Sequence, residues 1–309
     1  MTPPVVVGSA SRDLTPDDAR GWRLGGAAAY AGLTLARLGL RPRILMGVDA
    51  DAATARELDL LRDAGADVRL VRLPAGPVFE NHQTPGGRVQ LCAEPGVPIP
   101  PMAPPEWADA VAWLLVPVAD ELRDAWAAVP SRDALVALGW QGLLRNLAPG
   151  ETVTRRPPAA SPLVERAALV GLSRQDIDPD VTEADLAKLL SRPATLLLTD
   201  GASGGMVVEL LGDGRRRVRT YPAIPAATLV DPTGAGDAFL ATLVAARLGH
   251  PLAGSGRRGA DLRCAAAVAS LVVEAPGLYG VPTLAALAAR LRTSLRGTAA
   301  PADPADDRD

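Results

Sequence analysis

Short apolar, β-branched runs alternate with small-residue helical stretches along most of this chain, and that rhythm restricts the fold to a parallel sheet flanked by helices. Val5 to Val7 ends at Gly8, and Gly26 to Leu38 follows as a helical stretch closed by Gly39. Arg43 to Val48 (strand), Ala52 to Asp63 (helix) and Val68 to Leu73 (strand) continue the alternation, as do Val111 to Val116, Asp120 to Ala128 and Ala134 to Leu138. Leu169 to Leu172 and Thr195 to Thr199 are further strands around the helical stretch Glu183 to Leu190, and three last helices begin near Asp237, Asp261 and Thr283. Two segments break the rhythm. Val78 to Leu91 reads as a hairpin around Pro85-Gly86-Gly87 and is the candidate for a protruding flap. Val207 to Leu211 pairs with Arg216 to Thr220 across Gly212-Asp213-Gly214. Between Pro95 and Pro105, six prolines make the stretch an extended connector back to the main body.

Composition narrows the function classes. A length of 309 residues with 48% hydrophobic and 22% charged residues fits one large domain, or one domain with a small appendage. A net charge of -3 and only 3% aromatic residues leave no basic, base-stacking surface, so nucleic acid is not an expected partner. No run approaches the roughly 18 apolar residues of a membrane span. The start Met1-Thr2-Pro3-Pro4 lacks a signal-peptide pattern, so no membrane partner and a cytoplasmic location are expected. Cys92 and Cys264 lie far apart among apolar neighbours and read as buried free thiols, and His82 and His250 form no metal cluster. Gly297 to Asp309, rich in Ala, Pro and Asp, is expected to be disordered.

Chemistry concentrates in Asp231-Pro-Thr-Gly-Ala-Gly-Asp237, directly before the apolar helical run Ala238, Phe239, Leu240, Leu243, Val244. The first N–H groups of a helix have no intrahelical partner, and the helix dipole adds roughly half a positive charge there, so an anion can dock. Asp237 would stand beside a docked phosphate, placed to take a proton from a hydroxyl. The residues alone leave a second reading open, that Asp237 merely complements the helix dipole. Two rival phosphate motifs fail. The dinucleotide fingerprint needs a third glycine where Phe239 stands, and the P-loop needs a lysine after its glycines, whereas the sole lysine is Lys188.

Asp231 to Asp237 closely resembles the signature of the ribokinase-like carbohydrate kinases, the PfkB family. Gly25-Gly26 before a small-residue helix ending Arg37-Leu38-Gly39, and Gly47-Val48-Asp49 after the next strand, resemble its amino-terminal pattern. Thr199-Asp200-Gly201 with Gly204-Gly205 resembles its nucleotide-side glycine loop, and Ala265 to Val273 with Gly277 its closing helix beside the adenine. The resemblance runs from about Val5 to Leu295. It implies a three-layer α/β/α fold with a mostly parallel sheet and a β-flap lid, residues 9–25 and 74–98, within one domain spanning 1–296. The implied activity is transfer of the γ-phosphoryl of ATP to a hydroxyl of a small sugar or polyol, with magnesium on the phosphates.

In that scheme Asp237 is the general base and Gly234, Ala235 and Gly236 supply the backbone anion hole. A helix N-terminus by itself lowers a carboxylate pKa, so Asp237 is expected to become a good base only once bound phosphate cancels the dipole. Asp13, Gly25 and Gly26 face the acceptor, the glycines by leaving room for it, and Asn81 and Arg88 reach it from the flap, beside Phe79, Glu80, His82 and Gln90. Tyr30 stands where many relatives have an asparagine that binds substrate hydroxyls; its ring stacks on the acceptor or fills core, and ribose is put in doubt. Thr199, Asp200, Gly201, Gly204, Thr233, Ala266 and Gly277 fall on the nucleotide side. Ser173 and Asp176 shorten the family's Asn-x-x-Glu motif near magnesium, with a helix cap as the alternative, and Asp231 with Thr233 extends the metal set to a monovalent cation such as K+. Gln141 and Arg145 reach either the substrate or the phosphate, or cap a surface helix. A homodimer through the flap edge is a further expectation. Two other functions stay open: a nucleoside kinase of the same fold, and an inert nucleotide or sugar sensor.

Overall fold

The computed structural model describes residues 2–84, 87–251 and 259–296, with backbone alone at 83, 84, 87, 88, 295 and 296. The tail 297–309 and the flap-tip residues Pro85 and Gly86 lie outside the described residues. Nine strands form the central sheet, in the order Arg216–Tyr221, Gly205–Leu210, Ala194–Thr199, Leu169–Ser173, Leu135–Gly139, Ala112–Leu115, Val5–Ser9, Arg43–Val48, Asp67–Arg72. From Ala194–Thr199 onward every pairing is parallel, and only the Gly205–Leu210 and Arg216–Tyr221 hairpin is antiparallel.

A parallel sheet covered on both faces needs strands that are apolar throughout. Val5, Val6 and Val7 show why: all three are fully buried, Val6 on one face of the sheet, Val5 and Val7 on the other. Over the first face lie the alanine-rich helices Ala27–Arg37, Ala235–Arg247 and Ala260–Val272. The second face is covered differently. Short helices, Pro162–Arg166 and Glu183–Ala187, and turns carrying Trp107, Trp126 and Trp140 fill it, so bulky indoles do there what long helices do opposite. The three layers of the expected fold are therefore present. Cys92 and Cys264 are buried and free, as expected. Among the described residues, no helix is long and apolar enough to cross a membrane.

Three expected helices are shorter than read, Glu183 to Leu190 ending at Ala187. Of Asp120 to Ala128 only the 3-10 turn Asp124–Ala128 forms, because Asp120 adopts a positive φ of 59° that breaks the helical path. Ala52 to Asp63 divides at Ala55, whose ψ of 127° is extended, into a 3-10 turn Ala52–Thr54 and an α-helix Glu57–Asp63. Asp49 caps the start of the first of these, its Oδ1 accepting the Ala52 N–H at 2.8 Å.

Above the strand ends stands a five-stranded lid sheet, in the order Glu151–Thr152, Gly87–Glu94, Val78–Thr84, Ser11–Leu14, Trp22–Gly25. Its strand Glu151–Thr152 comes from a segment that sequence patterning does not assign to the lid. Charge pairs fasten this sheet to the body. Arg12 reaches Asp49 at 2.9 Å, and Arg20 reaches Asp18 at 3.0 Å and the buried Glu57 at 2.5 Å.

Candidate active site

No strand precedes the phosphate-type turn: residues 222–234 run as loop and turn, held where the Val230 and Asp231 N–H groups both donate to the Val273 carbonyl. The turn ends at Gly234, the N-cap of Ala235–Arg247, with φ 79° and ψ -2° and no side chain capping the helix. A left-handed conformation suits glycine. A second reason is steric, since a Cβ on Gly234 would overlap Cδ1, Cγ and Cε1 of the Tyr30 ring. An uncapped first turn leaves its N–H groups facing outward.

Asp237 sits one turn into this helix and remains partly accessible as a residue. Its carboxyl is nevertheless enclosed by protein, and burial pushes its pKa from 3.8 up to about 7; the Arg145 guanidinium pulls it down and Asp176 adds to the rise. This corrects the expectation of a lowered pKa before phosphate arrives. Desolvation outweighs the dipole, so the fold itself sets the Asp237 carboxyl to exchange a proton near neutrality.

Asp176 belongs to a different arrangement. Its Oδ2 accepts the Ser173 N–H at 2.9 Å, its Oδ1 accepts Gln141 Nε2 at 2.9 Å, and Ser173 Oγ accepts the Gln175 N–H at 3.2 Å. Ser173 and Asp176 thus form a complete capping box, the alternative the sequence left open. Asp231 is similarly committed, its Oδ1 to the Thr233 N–H and its Oδ2 to the Gly277 N–H, both at 3.0 Å. The carboxylate stitches the two loops together. Each of its oxygens keeps a lone pair, which fits the monovalent-cation role without demanding it.

One cleft is lined by Asp13 and Asn81 of the lid sheet, by Tyr30 of the helix Ala27–Arg37, and by Asp231, Thr233 and Gly277. Three expected acceptor residues and three expected nucleotide-side or cation residues thus share a wall. Arg23, which sequence reasoning missed, also lines it. It is the Cα partner of Asp13 across the lid, so both point to the same side of that sheet; the signal was present as Arg23 two residues before Gly25, but only the register makes it legible. Asp13 Oδ1 accepts Ser11 Oγ at 2.9 Å, and Asn81 Oδ1 accepts Gln90 Nε2 at 2.9 Å, so both are pre-oriented. The Arg88 side chain lies outside the described residues. Phe79 is buried, with the Arg145 guanidinium 5.7 Å from its ring centre.

Gly25 and Gly26 are glycines for another reason than ligand approach. A Cβ on Gly25 would overlap Asp13 Oδ2, and one on Gly26, at φ 99°, would overlap the Ser9 carbonyl. The protein's own atoms fill the space. On the expected nucleotide side, Thr199 ends its strand, Asp200 and Gly201 open the turn that follows, and Gly204 packs against the Tyr221 carbonyl. Ala266 is buried in the helical layer. These residues do not line the cleft around Asp13. Tyr30, too, is 1% exposed and belongs chiefly to the core.

Residues 165–284 match the pfkB family carbohydrate kinase description. The fold is ribokinase-like. Among solved structures, a pyrophosphate-dependent kinase of the ribokinase family, complexed with a pyrophosphate analog and myo-inositol, superposes with a TM-score of 0.69 at 18% identity, over 93% of this chain and 99% of that one. Arabidopsis thaliana ribokinase, complexed with ribose and ATP, gives 0.68 at 20% identity over 94% and 99%. Burkholderia thailandensis nucleoside kinase, complexed with inosine, gives 0.67 at 18% identity over 95% and 99%. No curated protein matches the chain. The matched segment 165–284 contains the helix-start turns at Ser173 and at Gly234.

Proposed function

We propose that this ribokinase-like chain is an ATP-dependent kinase that phosphorylates a hydroxyl of a small sugar or polyol. The observation that carries this reading is an uncapped helix start at Gly234 with a carboxyl one turn in whose pKa is about 7. The Gly234, Ala235 and Gly236 backbone binds the transferring phosphoryl, and Asp237 takes the proton from the acceptor hydroxyl. Asp13 and Asn81 hold neighbouring hydroxyls. The nucleotide lies toward Thr199, Asp200, Gly201, Gly204, Thr233, Ala266 and Gly277. Residues 1–296 act as one kinase domain, with 9–25 and 74–98 as its lid, and the lid's outer strands offer an edge to a second copy.

Magnesium fits the donor set in one way. Among the described residues no three His, Cys, Asp or Glu gather into a cage, but magnesium on phosphates keeps several waters and needs only one or two carboxylates. Asp176, with Ser173 beside it, would meet that hydrated ion, whose charge neutralises the phosphates. With no P-loop lysine, Arg145 is the protein's cation near Asp237 and supports the phosphoryl in the same way. The acceptor pocket favours a polyol over a nucleoside, because Tyr30 and Phe79, the rings available for a base, are both buried.

The test is ADP release with ATP and magnesium over a panel of pentoses, hexoses, inositol and nucleosides, repeated with pyrophosphate as donor and the acceptor's phosphate ester as the product read. Acceptor-dependent ADP that disappears in Asp237→Asn is the expected result. No acceptor-dependent product from either donor would favour the sensor reading.

A further inference from the structure

The kinase reading above gives the Tyr30 side chain no part in the transfer. It lies in the first turn of Ala27–Arg37, with its N–H directed at the Gly26 carbonyl and its own carbonyl accepting Thr34 Oγ1 at 2.8 Å. Its ring crosses to the other helix start. There it lies so close to Gly234 that three ring atoms stand where a Cβ would be. The hydroxyl end of the same ring is 4.0 Å from the corresponding position on Gly277, the residue whose N–H holds Asp231. One flat side chain therefore bears on the end of the phosphate-type loop at Gly234 and faces Gly277, which holds the loop's start through Asp231. The neighbours Ala28, Ala29 and Ala31 are small enough to let the two helices approach for this contact.

We infer that Tyr30 is a positioning residue for the anion hole: its ring fixes the left-handed turn at Gly234 against Gly277, so that the first-turn N–H groups of Ala235–Arg247 keep one direction in the free enzyme. The inference rests on the kinase reading above and adds to it a role that an asparagine at this place could not fill, since only a flat ring spans both glycines. A left-handed residue with no side chain is mobile unless something bears on it. Pre-organised donors are what phosphoryl transfer requires, because donors that must reorient at the moment of reaction lose their advantage.

The contact can be separated from a direct acceptor role by kinetics. Tyr30→Ala is expected to lower kcat by about 10²-fold, the size of losing one aligned oxyanion donor, with acceptor KM within about threefold. Tyr30→Phe, which keeps the ring, is expected to restore most of that loss. A rise in acceptor KM at constant kcat in Tyr30→Ala would instead make Tyr30 an acceptor ligand, and wild-type values of both would make it plain core. Either outcome overturns the inference. Should Tyr30→Ala fail to fold by circular dichroism, Tyr30→Leu serves, since it keeps bulk without flatness and is expected to show the same loss of kcat. Failure here differs from failure of the kinase reading: turnover that survives Asp237→Asn removes the latter, whatever Tyr30 does.

Discussion

Two of the helix starts with a carboxylate three residues after the N-cap, those at Ser173 and Gly234, are built oppositely. At Ser173 the side chains of Ser173 and Asp176 satisfy the turn's own N–H groups in a closed box. At Gly234 no side chain does so. Ser173 therefore completes its turn without a ligand, while Gly234 leaves donors for one. The carboxylates differ accordingly: Asp176 is held by two protein donors, whereas burial keeps Asp237 near a pKa of 7, ready to exchange a proton. Similar spacing in sequence thus encodes a structural cap in one place and a proposed reaction centre in the other.

That contrast can be broken by substitution. Asp237→Asn is expected to cost on the order of 10² to 10⁴ in turnover with nucleotide binding retained, as read by kinetics beside calorimetry. Turnover is expected to fall as pH drops through about 7, because Asp237 must be deprotonated to act; a flat profile between pH 5 and 8 would assign the base elsewhere. Gly234→Ala meets both the φ of 79° and the Tyr30 ring, and a loss of about 1–3 kcal/mol in denaturant unfolding is expected from the backbone strain, with more from overpacking. Ser173→Ala should cost about 1 kcal/mol of stability as a lost cap, and reduce turnover far less than Asp237→Asn. Equal losses in the two would shift weight to the metal role of Ser173 and Asp176.

The same contrast has a thermodynamic form. Since the folded-state pKa of Asp237 is raised from 3.8 to about 7, the native protein retains a proton that the unfolded chain releases, and stability is lost as pH rises between those values. Asp237→Asn is therefore expected to melt above the wild type at pH 8 and level with it near pH 4. A mutant that melts lower at pH 8 would mean that the carboxylate is stabilised rather than desolvated.

Much of the fold was legible because a doubly covered parallel sheet writes itself as apolar runs: Arg43 to Val48 was read to the residue. Helix lengths were less so, as at Ala55 and Asp120, where one backbone torsion ends a stretch that periodicity would continue. The strand Glu151–Thr152 left no pattern, because two residues are too few to show alternation, and its partner Gly87–Glu94 lies far away in sequence. In the site, the glycine-rich turn and Asp237 were plain from residue types. Arg23 was not, since its side of the lid depends on a cross-strand register.

Local chemistry, then, was fixed by the order of residues: where a helix could begin, where a carboxylate follows its start, and that no lysine was available for a P-loop. Only the tertiary structure decided what surrounded those residues. It set the pKa of Asp237, because desolvation depends on every atom packed around the carboxyl and overrode the helix dipole beside it. It also brought Tyr30 onto Gly234, across more than two hundred residues of chain, because two alanine-rich helices pack closely enough for one ring to reach.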